Sequence, residues 1–547
     1  MRVSPITVFW WAWVNVQTFT TTAWQTTPST RRRRNILPTT TRLAASTPDQ
    51  QQQKQQRPAR STAKLEEWAT NVGIQKNPAL QLTSDATTGL GWQLQGADVA
   101  ADQVLLQVPT DVALTVASPG EGPDDATVLR QAKDRRAFRE LPWYVQFSVY
   151  LNTMQRTGAK GTTNLDMSAW LASLPRSLDT PLHWSQNEVK ELQYDFLAKA
   201  VAKQRLAWQG YHNSVVQNGF ADLSWEDFVW GCEMARSRAF SGAYKGSAFN
   251  PAIYAFTLVL VAIYVGLGLG TIEQAANGAG VVFCATILKD FVFPKLLKTK
   301  KFVICPLIDM ANHQSIGYAG DVSFEYFGDG FSLATTQSLK AGSPVCISYG
   351  ARSNDQWLQY YGFCETNNPH DVYILPSLRE WPLAAMEQAA GRTVGPGRLQ
   401  ALERAGLLGY IADASSEGLH FQAFDESAAN AEGGVVVTRA GGLDPAVWQA
   451  LRALFCTDAE WQAAGQAVGS FAESSPSVST EASVRSAAQC ALQWELARQP
   501  TTLEQDVAVQ QRQNASKAVD TSTAERLALA FRIEKKKILQ ECLRSIA

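Results

Sequence analysis

Lys64 to Val72 places Leu65, Trp68 and Val72 three and four residues apart, which predicts a short helix. The period then changes. Leu80 to Leu82, Trp92 to Leu94 and Val104 to Val108 are short β-rich runs punctuated by Gly89, Gly91, Gly96 and Pro109, which predicts strands and turns. From Asp124 to about Phe240 the pattern is helical, clearest at Leu141 to Leu151 and Trp225 to Arg236. Strand-like runs return over 302–375, at Phe302 to Pro306, Val322 to Phe327, Phe331 to Thr335 and Pro344 to Tyr349. From position 380 the chain is Ala- and Leu-rich and helical, with one weak hairpin at Gly433 to Val437. The order predicts an α+β fold: a small β part, a helical insert, a second small β part and a helical domain.

The first 62 residues stand apart. Ile6 to Val16 is an apolar run of signal-peptide length after Arg2, too short to span a bilayer. A Ser- and Thr-rich stretch follows, with Arg31 to Arg34 and Arg42, and no acidic residue before Asp49. That is transit-peptide composition. The pair resembles a bipartite plastid presequence, with Ala23-Trp24 as a candidate junction. Gln50 to Gln56 reads as a low-complexity linker. Residues 1–62 are therefore expected to be a disordered targeting segment in a plastid protein.

Charge and cysteine usage remove other classes. Forty-nine basic residues against 50 acidic ones give a net charge of −1, so no basic excess exists for binding nucleic acid through phosphates. Eight cysteines in 547 residues are too sparse for a disulfide scaffold, and no CxxC pair occurs. No metal site is expected. Cys305, Cys346 and Cys364 read as buried hydrophobes.

Three blocks carry chemistry. They are Thr87-Thr88-Gly89-Leu90-Gly91 in a strand-turn context, Ser237-Arg238-Ala239-Phe240 ending a helix, and a dense third group. The third comprises Asp309-Met310-Ala311-Asn312-His313, Ser348-Tyr349-Gly350, Ser353-Asn354, and Tyr361-Gly362-Phe363 followed by Asn367-Asn368-Pro369. In this order they resemble the SET-domain methyltransferases of the Rubisco large-subunit methyltransferase class, which also includes the actin-histidine methyltransferase. The resemblance covers about residues 64–240 and 302–547.

The resemblance implies S-adenosylmethionine (SAM) as cofactor and a protein amine as acceptor. It implies that Tyr349 is the catalytic tyrosine. Gly89, Leu90, Gly91, Arg238, Asn312, His313 and Tyr361 would bind the cofactor, and Arg238, Asp309 and Tyr349 would meet the substrate. Thr88 stands where the class often has Glu. Thr501 to Asp506 and Phe531 to Leu539 resemble the end of the class's helical substrate-binding domain, and the charges of the latter run read as a solvated helix face.

One segment departs from the class. Ala252 to Gly270 is 19 residues without a charge, long enough to cross a bilayer core, with Gly266 and Gly270 at a helix-packing spacing. Arg238 and Asn312 must meet at one site, so a crossing chain must return, and the candidate return is a poorer segment, Ala275 to Leu288 and then Phe291 to Phe293, interrupted by Lys289 and Asp290. Lys245 before it and Lys295, Lys298, Lys300 and Lys301 after it fit one shared side. Residues 252–297 are thus a candidate membrane hairpin, with a soluble hairpin or partner-binding flap as the alternative.

The expected organisation is a targeting segment at 1–62 and a SET domain at 63–241 and 302–375, interrupted by the hydrophobic insertion at 242–301. A helical substrate-binding domain follows at 376–547. The expected function is SAM-dependent methylation of a lysine in a non-histone protein, by a monomer. The alternatives are histidine methylation on the same fold, or a non-catalytic membrane-tethered adaptor.

Overall fold

The computed structural model describes residues 62–85, 89–117, 126–157, 165–242, 301–325, 330–408, 435–516 and 522–546, with the single positions 263, 267 and 271. The presequence before Thr62, Thr88 and nearly all of the candidate membrane hairpin lie outside the described residues. Among the described residues no helix is long and apolar enough to cross a membrane.

The strands are β1 (Gln75–Lys76), β2 (Leu80–Asp85), β3 (Gly89–Leu94), β4 (Val104–Pro109), β5 (Leu114–Ala117), β6 (Phe240–Gly242), β7 (Lys301–Ile304), β8 (Gly320–Glu325), β9 (Gly330–Thr335), β10 (Pro344–Val345), β11 (Val372–Leu375), β12 (Val435–Thr438) and β13 (Gly442–Leu443). The longer helices are α1 (Thr62–Asn71), α2 (Trp143–Arg156), α3 (Asp195–Gln217), α4 (Trp225–Arg238), α5 (Asn354–Tyr361), α6 (Leu383–Ala390), α7 (Pro445–Phe455), α8 (Val478–Arg498), α9 (Leu503–Ser516) and α10 (Thr523–Ile546). The strands form small sheets in the orders β1-β4-β9-β8, β10-β3-β2, β5-β7-β6 and β11-β12-β13. In β2, Leu80 and Leu82 are buried and Gln81 is exposed, the alternation that a half-buried strand requires.

Two pairings position the site. β6 runs antiparallel to β7, with Phe240 opposite Val303 and Gly242 opposite Lys301. The two ends of the 242–301 insertion therefore leave and re-enter side by side, and Arg238 at the end of α4 is carried toward the turn that follows β7. β10 pairs with β3, which brings Trp92 opposite Val345. Behind these sheets α2 and α4 pack closely. Gly231 lies where any Cβ would collide with Ser148, so only glycine admits that approach.

The buried apolar residues form two cores. One holds the other three sheets and α2 with α4; the second holds α6, α7, α8, α10 and the sheet of β11 to β13. β11, the last strand of the 302–375 run, packs in the second core and pairs with β12 in register from Val372–Thr438 to Leu375–Val435.

The charges of α10 correct the expectation of a solvated face. Lys535 and Lys536 are each 2% exposed, and Glu534 and Arg532 are also buried. The cause is the helix's position, which places charged partners on several sides. The Lys535 Nζ donates to Asp355 on α5, to Asp371 Oδ1 at 2.8 Å and to the Val372 carbonyl at 2.6 Å. Asp506 on α9 takes Lys536 at 2.5 Å and Arg532 at 3.0 Å. Glu534 accepts from Arg439 at 2.7 Å and from the Asn367 amide at 2.9 Å. Burial alone would push the Lys535 ammonium down, but Asp355 and Asp371 outweigh it and hold it above the usual value.

Removing one member of such a group leaves uncompensated buried charge. Lys535→Met should lower stability by about 3–5 kcal/mol, read as a lower unfolding midpoint. Adding Asp355→Leu should recover part of that loss. A midpoint unchanged in Lys535→Met would contradict this account of α10.

Candidate active site

The turn after β7 begins the site. Leu307 adopts φ 70°, ψ −41°, a left-handed conformation that disfavours side-chain-bearing residues. Its carbonyl accepts the Trp92 Nε1–H at 2.8 Å, which ties the strained turn to β3. The same strand brings Gly91 against Asn312. A Cβ on Gly91 would stand 2.5 Å from Asn312 Nδ2, so a side chain there would displace the Asn312 amide. Gly89 opens the strand at φ 77°, and Leu90 packs half-buried on the first core. The Gly89-Leu90-Gly91 block and Asn312 thus meet.

Two distant stretches then cross. The Ile347 amide donates to the Asn312 carbonyl at 2.9 Å, the Gln314 amide donates to the Ile347 carbonyl at 3.1 Å, and His313 and Ile347 form a parallel bridge. Tyr349 is held twice. Its phenol donates to the Ala311 carbonyl at 2.7 Å, and its amide donates to His313 Nδ1 at 3.1 Å. The imidazole and phenol centroids are 5.1 Å apart, and Tyr361 stacks on Tyr349 at 5.4 Å. Burial pushes the Tyr349 phenol well up, although Arg238 opposes this. The group is therefore a neutral hydroxyl near pH 7.

Arg238 closes the third side. Its Nη1 donates to the Asp309 carbonyl at 3.1 Å and to Asp309 Oδ2 at 3.0 Å, and Trp170 Nε1 donates to the same oxygen at 3.3 Å. Burial pushes the Asp309 carboxyl up, and the Arg238 guanidinium counters it. Asp309 Oδ1 and Arg238 Nε are buried and have no hydrogen-bond partner among the described residues. Of the residues expected from the sequence, Gly91 meets Asn312, Tyr349 meets both His313 and Tyr361, and Arg238 meets Asp309, while Gly89 and Leu90 share the strand of Gly91 without joining these contacts.

Several neighbours were missed. The Trp357 ring lies tilted 4.4 Å from the His313 centroid and edge-on 5.0 Å from Tyr361, and Phe363 stacks on Trp357 at 5.4 Å. Trp357 and Tyr361 are four apart on α5, so helical spacing marks Trp357 once Tyr361 is singled out. Ser315 and Glu365, which reach His313 from the other side, are 50 positions apart and leave no local signal. Of the cysteines read as buried hydrophobes, Cys305 is buried, while Cys346 and Cys364 are half-buried. Burial pushes all three thiols up, so none is poised as a nucleophile.

His313 gives a pH test. Burial pushes its imidazole below the usual value, the Glu365 carboxylate and Ile347 carbonyl oppose this, and Arg352 adds to it. The neutral ring is the form that accepts from Tyr349. That contact is intact above the ordinary histidine value of ~6.5 and is lost as pH falls through the lower folded value. The chain has five histidines, few enough to follow by proton NMR. The His313 ring signal should titrate with a midpoint below ~6.5; a midpoint above it would refute the assignment.

Residues 396–539 match a family model described as Rubisco LSMT substrate-binding. The chain is 23% identical over 330 residues to the pea (Pisum sativum) chloroplastic ribulose-1,5-bisphosphate carboxylase/oxygenase large subunit N-methyltransferase, covering 56% of this chain and 52% of that one. It is 22% identical over 317 residues to the Arabidopsis thaliana chloroplastic [fructose-bisphosphate aldolase]-lysine N-methyltransferase, covering 56% and 53%. The chain thus spans about half the length of the curated relatives it matches. Among solved structures it resembles the SET domain of LSMT bound to lysine and AdoHcy, with a TM-score of 0.54, 18% identity, and 89% and 92% of the two chains covered. It also resembles Rubisco LSMT bound to AdoMet, with a TM-score of 0.53, 19% identity, and 90% and 92% covered. The chain therefore has the fold of the Rubisco large-subunit methyltransferase class of SET-domain proteins, and its residues 396–539 match the model of that class's substrate-binding region.

Proposed function

We propose that this chain is a SAM-dependent protein-lysine N-methyltransferase acting on a non-histone protein in a plastid. The observation that carries the reading is the crossing of 311–313 with 347–349, which sets the Tyr349 phenol beside the Asn312-His313 pair. By their names, one of the two relatives is a large-subunit N-methyltransferase, the other is a lysine N-methyltransferase, and both are chloroplastic. The Arg-rich, acid-poor segment over 1–62 supports the plastid location.

The residues present fit such a cofactor. Gly89 faces open space beside the Gly91–Asn312 contact, and Asp309 Oδ1 and Arg238 Nε are buried polar atoms with no hydrogen-bond partner among the described residues. Gly89, Leu90, Gly91, Asn312, His313, Arg238 and Tyr361 would hold SAM. When bound, SAM supplies a methyl group made electrophilic by the adjacent sulfonium. The chain's own task is to prepare the amine. A lysine ammonium, pKa ~10.4, has no lone pair, and removing its proton near neutral pH costs roughly 4–5 kcal/mol. The aromatic wall of Tyr349, Tyr361, Trp357 and Phe363 favours the neutral amine by desolvation. The Tyr349 hydroxyl, fixed by the Ala311 carbonyl, orients the amine, while Asp309 and Arg238 flank its approach. The helical domain at 396–539 would present the target protein.

Tritium transfer from labelled SAM to plastid extract, followed by amino-acid analysis, tests this. The wild-type chain should label lysine. Tyr349→Phe should lower the rate on the order of 10²-fold, while calorimetry shows SAM affinity little changed. Label on histidine would reassign the acceptor. SAM binding without transfer would favour the adaptor reading, and equal rates in wild type and Tyr349→Phe would remove Tyr349 from catalysis.

A further inference from the structure

We propose that Glu365, acting through Ser315, locks His313 in the tautomer that anchors Tyr349, which makes Glu365 a positioning residue for the site. The lock itself stands on hydrogen-bond geometry; only its kinetic consequence rests on the methyltransferase reading.

The backbone amide of Tyr349 can only donate, so the His313 Nδ1 it reaches at 3.1 Å must carry a lone pair. In a neutral ring the proton is then on Nε2. Nε2 faces Ser315 Oγ at 3.0 Å and Glu365 Oε2 at 3.6 Å. A serine hydroxyl both donates and accepts, so Ser315 alone would serve either tautomer. Glu365 decides between them, because an ionised carboxylate only accepts. Its Oε2 takes the Ser315 hydroxyl proton at 2.6 Å, and its Oε1 takes the Ser315 amide at 2.9 Å. With that proton committed, Ser315 Oγ offers Nε2 only lone pairs, and Nε2 must donate.

Glu365 is itself held from behind. Its amide donates to Asn354 Oδ1 at 3.0 Å, and Asn354 Nδ2 donates to the Glu365 carbonyl at 2.9 Å and to Asp371 Oδ2 at 3.0 Å. Asp371 also accepts from Lys535 on α10 at 2.8 Å. A continuous polar chain thus runs from the last helix to the imidazole. The charged groups nearest the ring are Glu365 and Arg352, the Ile347 carbonyl also reaches it, and its other faces meet Tyr349, Trp357 and Phe363. No other carboxylate stands within ion-pair distance of the ring among the described residues to replace Glu365.

Glu365→Gln has the same shape but brings a donor to the serine. If its oxygen keeps the Ser315 amide, its NH2 points at Ser315 Oγ, and the freed hydroxyl proton turns to Nε2. The ring then favours the Nδ1–H tautomer, which opposes the Tyr349 amide. Glu365→Asp keeps an acceptor and should restore part of the lock.

The test uses full-length protein labelled with 15N-histidine. Long-range proton–nitrogen spectra report which ring nitrogen carries the proton, and His313 is assigned by the signal lost in His313→Asn. Wild type should show Nε2–H at His313. Glu365→Gln should shift it toward Nδ1–H and lower the methyl-transfer rate about 10-fold, with a smaller change in KM for SAM, and Glu365→Asp should lie between. A wild-type His313 carrying its proton on Nδ1 overturns the proposal whatever the variants do. So does a Glu365→Gln protein that keeps both tautomer and rate. If the tautomer moves as expected but wild type transfers no methyl group, the lock stands and the methyltransferase reading fails.

Discussion

Tyr349 is held at both ends by one short stretch of chain, its phenol by the Ala311 carbonyl and its amide by the His313 ring. Each such bond contributes only about 1 kcal/mol net, so the bonds alone cannot fix the geometry. The chain around them does. β10 is paired to β3 just before the crossing, β7 is paired on both edges, and the strained turn at Leu307 is tied to Trp92. The crossing at 312–314 and 347 is therefore a consequence of which strands pair. Its two halves are brought together by sheets whose other edges lie far away in sequence.

The same logic explains how a 58-residue departure between Gly242 and Lys301 can interrupt the fold without disturbing the site. β6 and β7 pair across its base, so Arg238 at the end of α4 and Asp309 in the turn after β7 still meet. What the insertion does is separable from what the strands at its base do.

Much of the architecture was legible in the sequence. β2, β3, β4 and β9 follow apolar runs bounded by glycine or proline, and α2 and α4 follow apolar residues three and four apart. The candidate site was legible as a set of residue blocks whose order resembles that of a known class. What was hidden depends on tertiary placement. The charges of Arg532, Glu534, Lys535 and Lys536 have the same spacing whether a helix faces water or a ring of carboxylates, and only the position of α10 against α5 and α9 decides. β11 reads as one more strand of its run, yet it pairs with β12, more than sixty residues on. Glu365 follows an aromatic motif but acts on Ser315 across 50 positions.

The central claim is that the 89–91 strand, the 309–313 turn and the 349–361 aromatics line one SAM site. Ultraviolet cross-linking of methyl-tritiated SAM to the full chain, followed by peptide mapping, addresses it most directly. The account predicts label confined to peptides spanning 89–91, 238, 309–313 and 349–363, suppressed by excess unlabelled SAM. Competable label elsewhere in the chain, or no competable label at all, would contradict it.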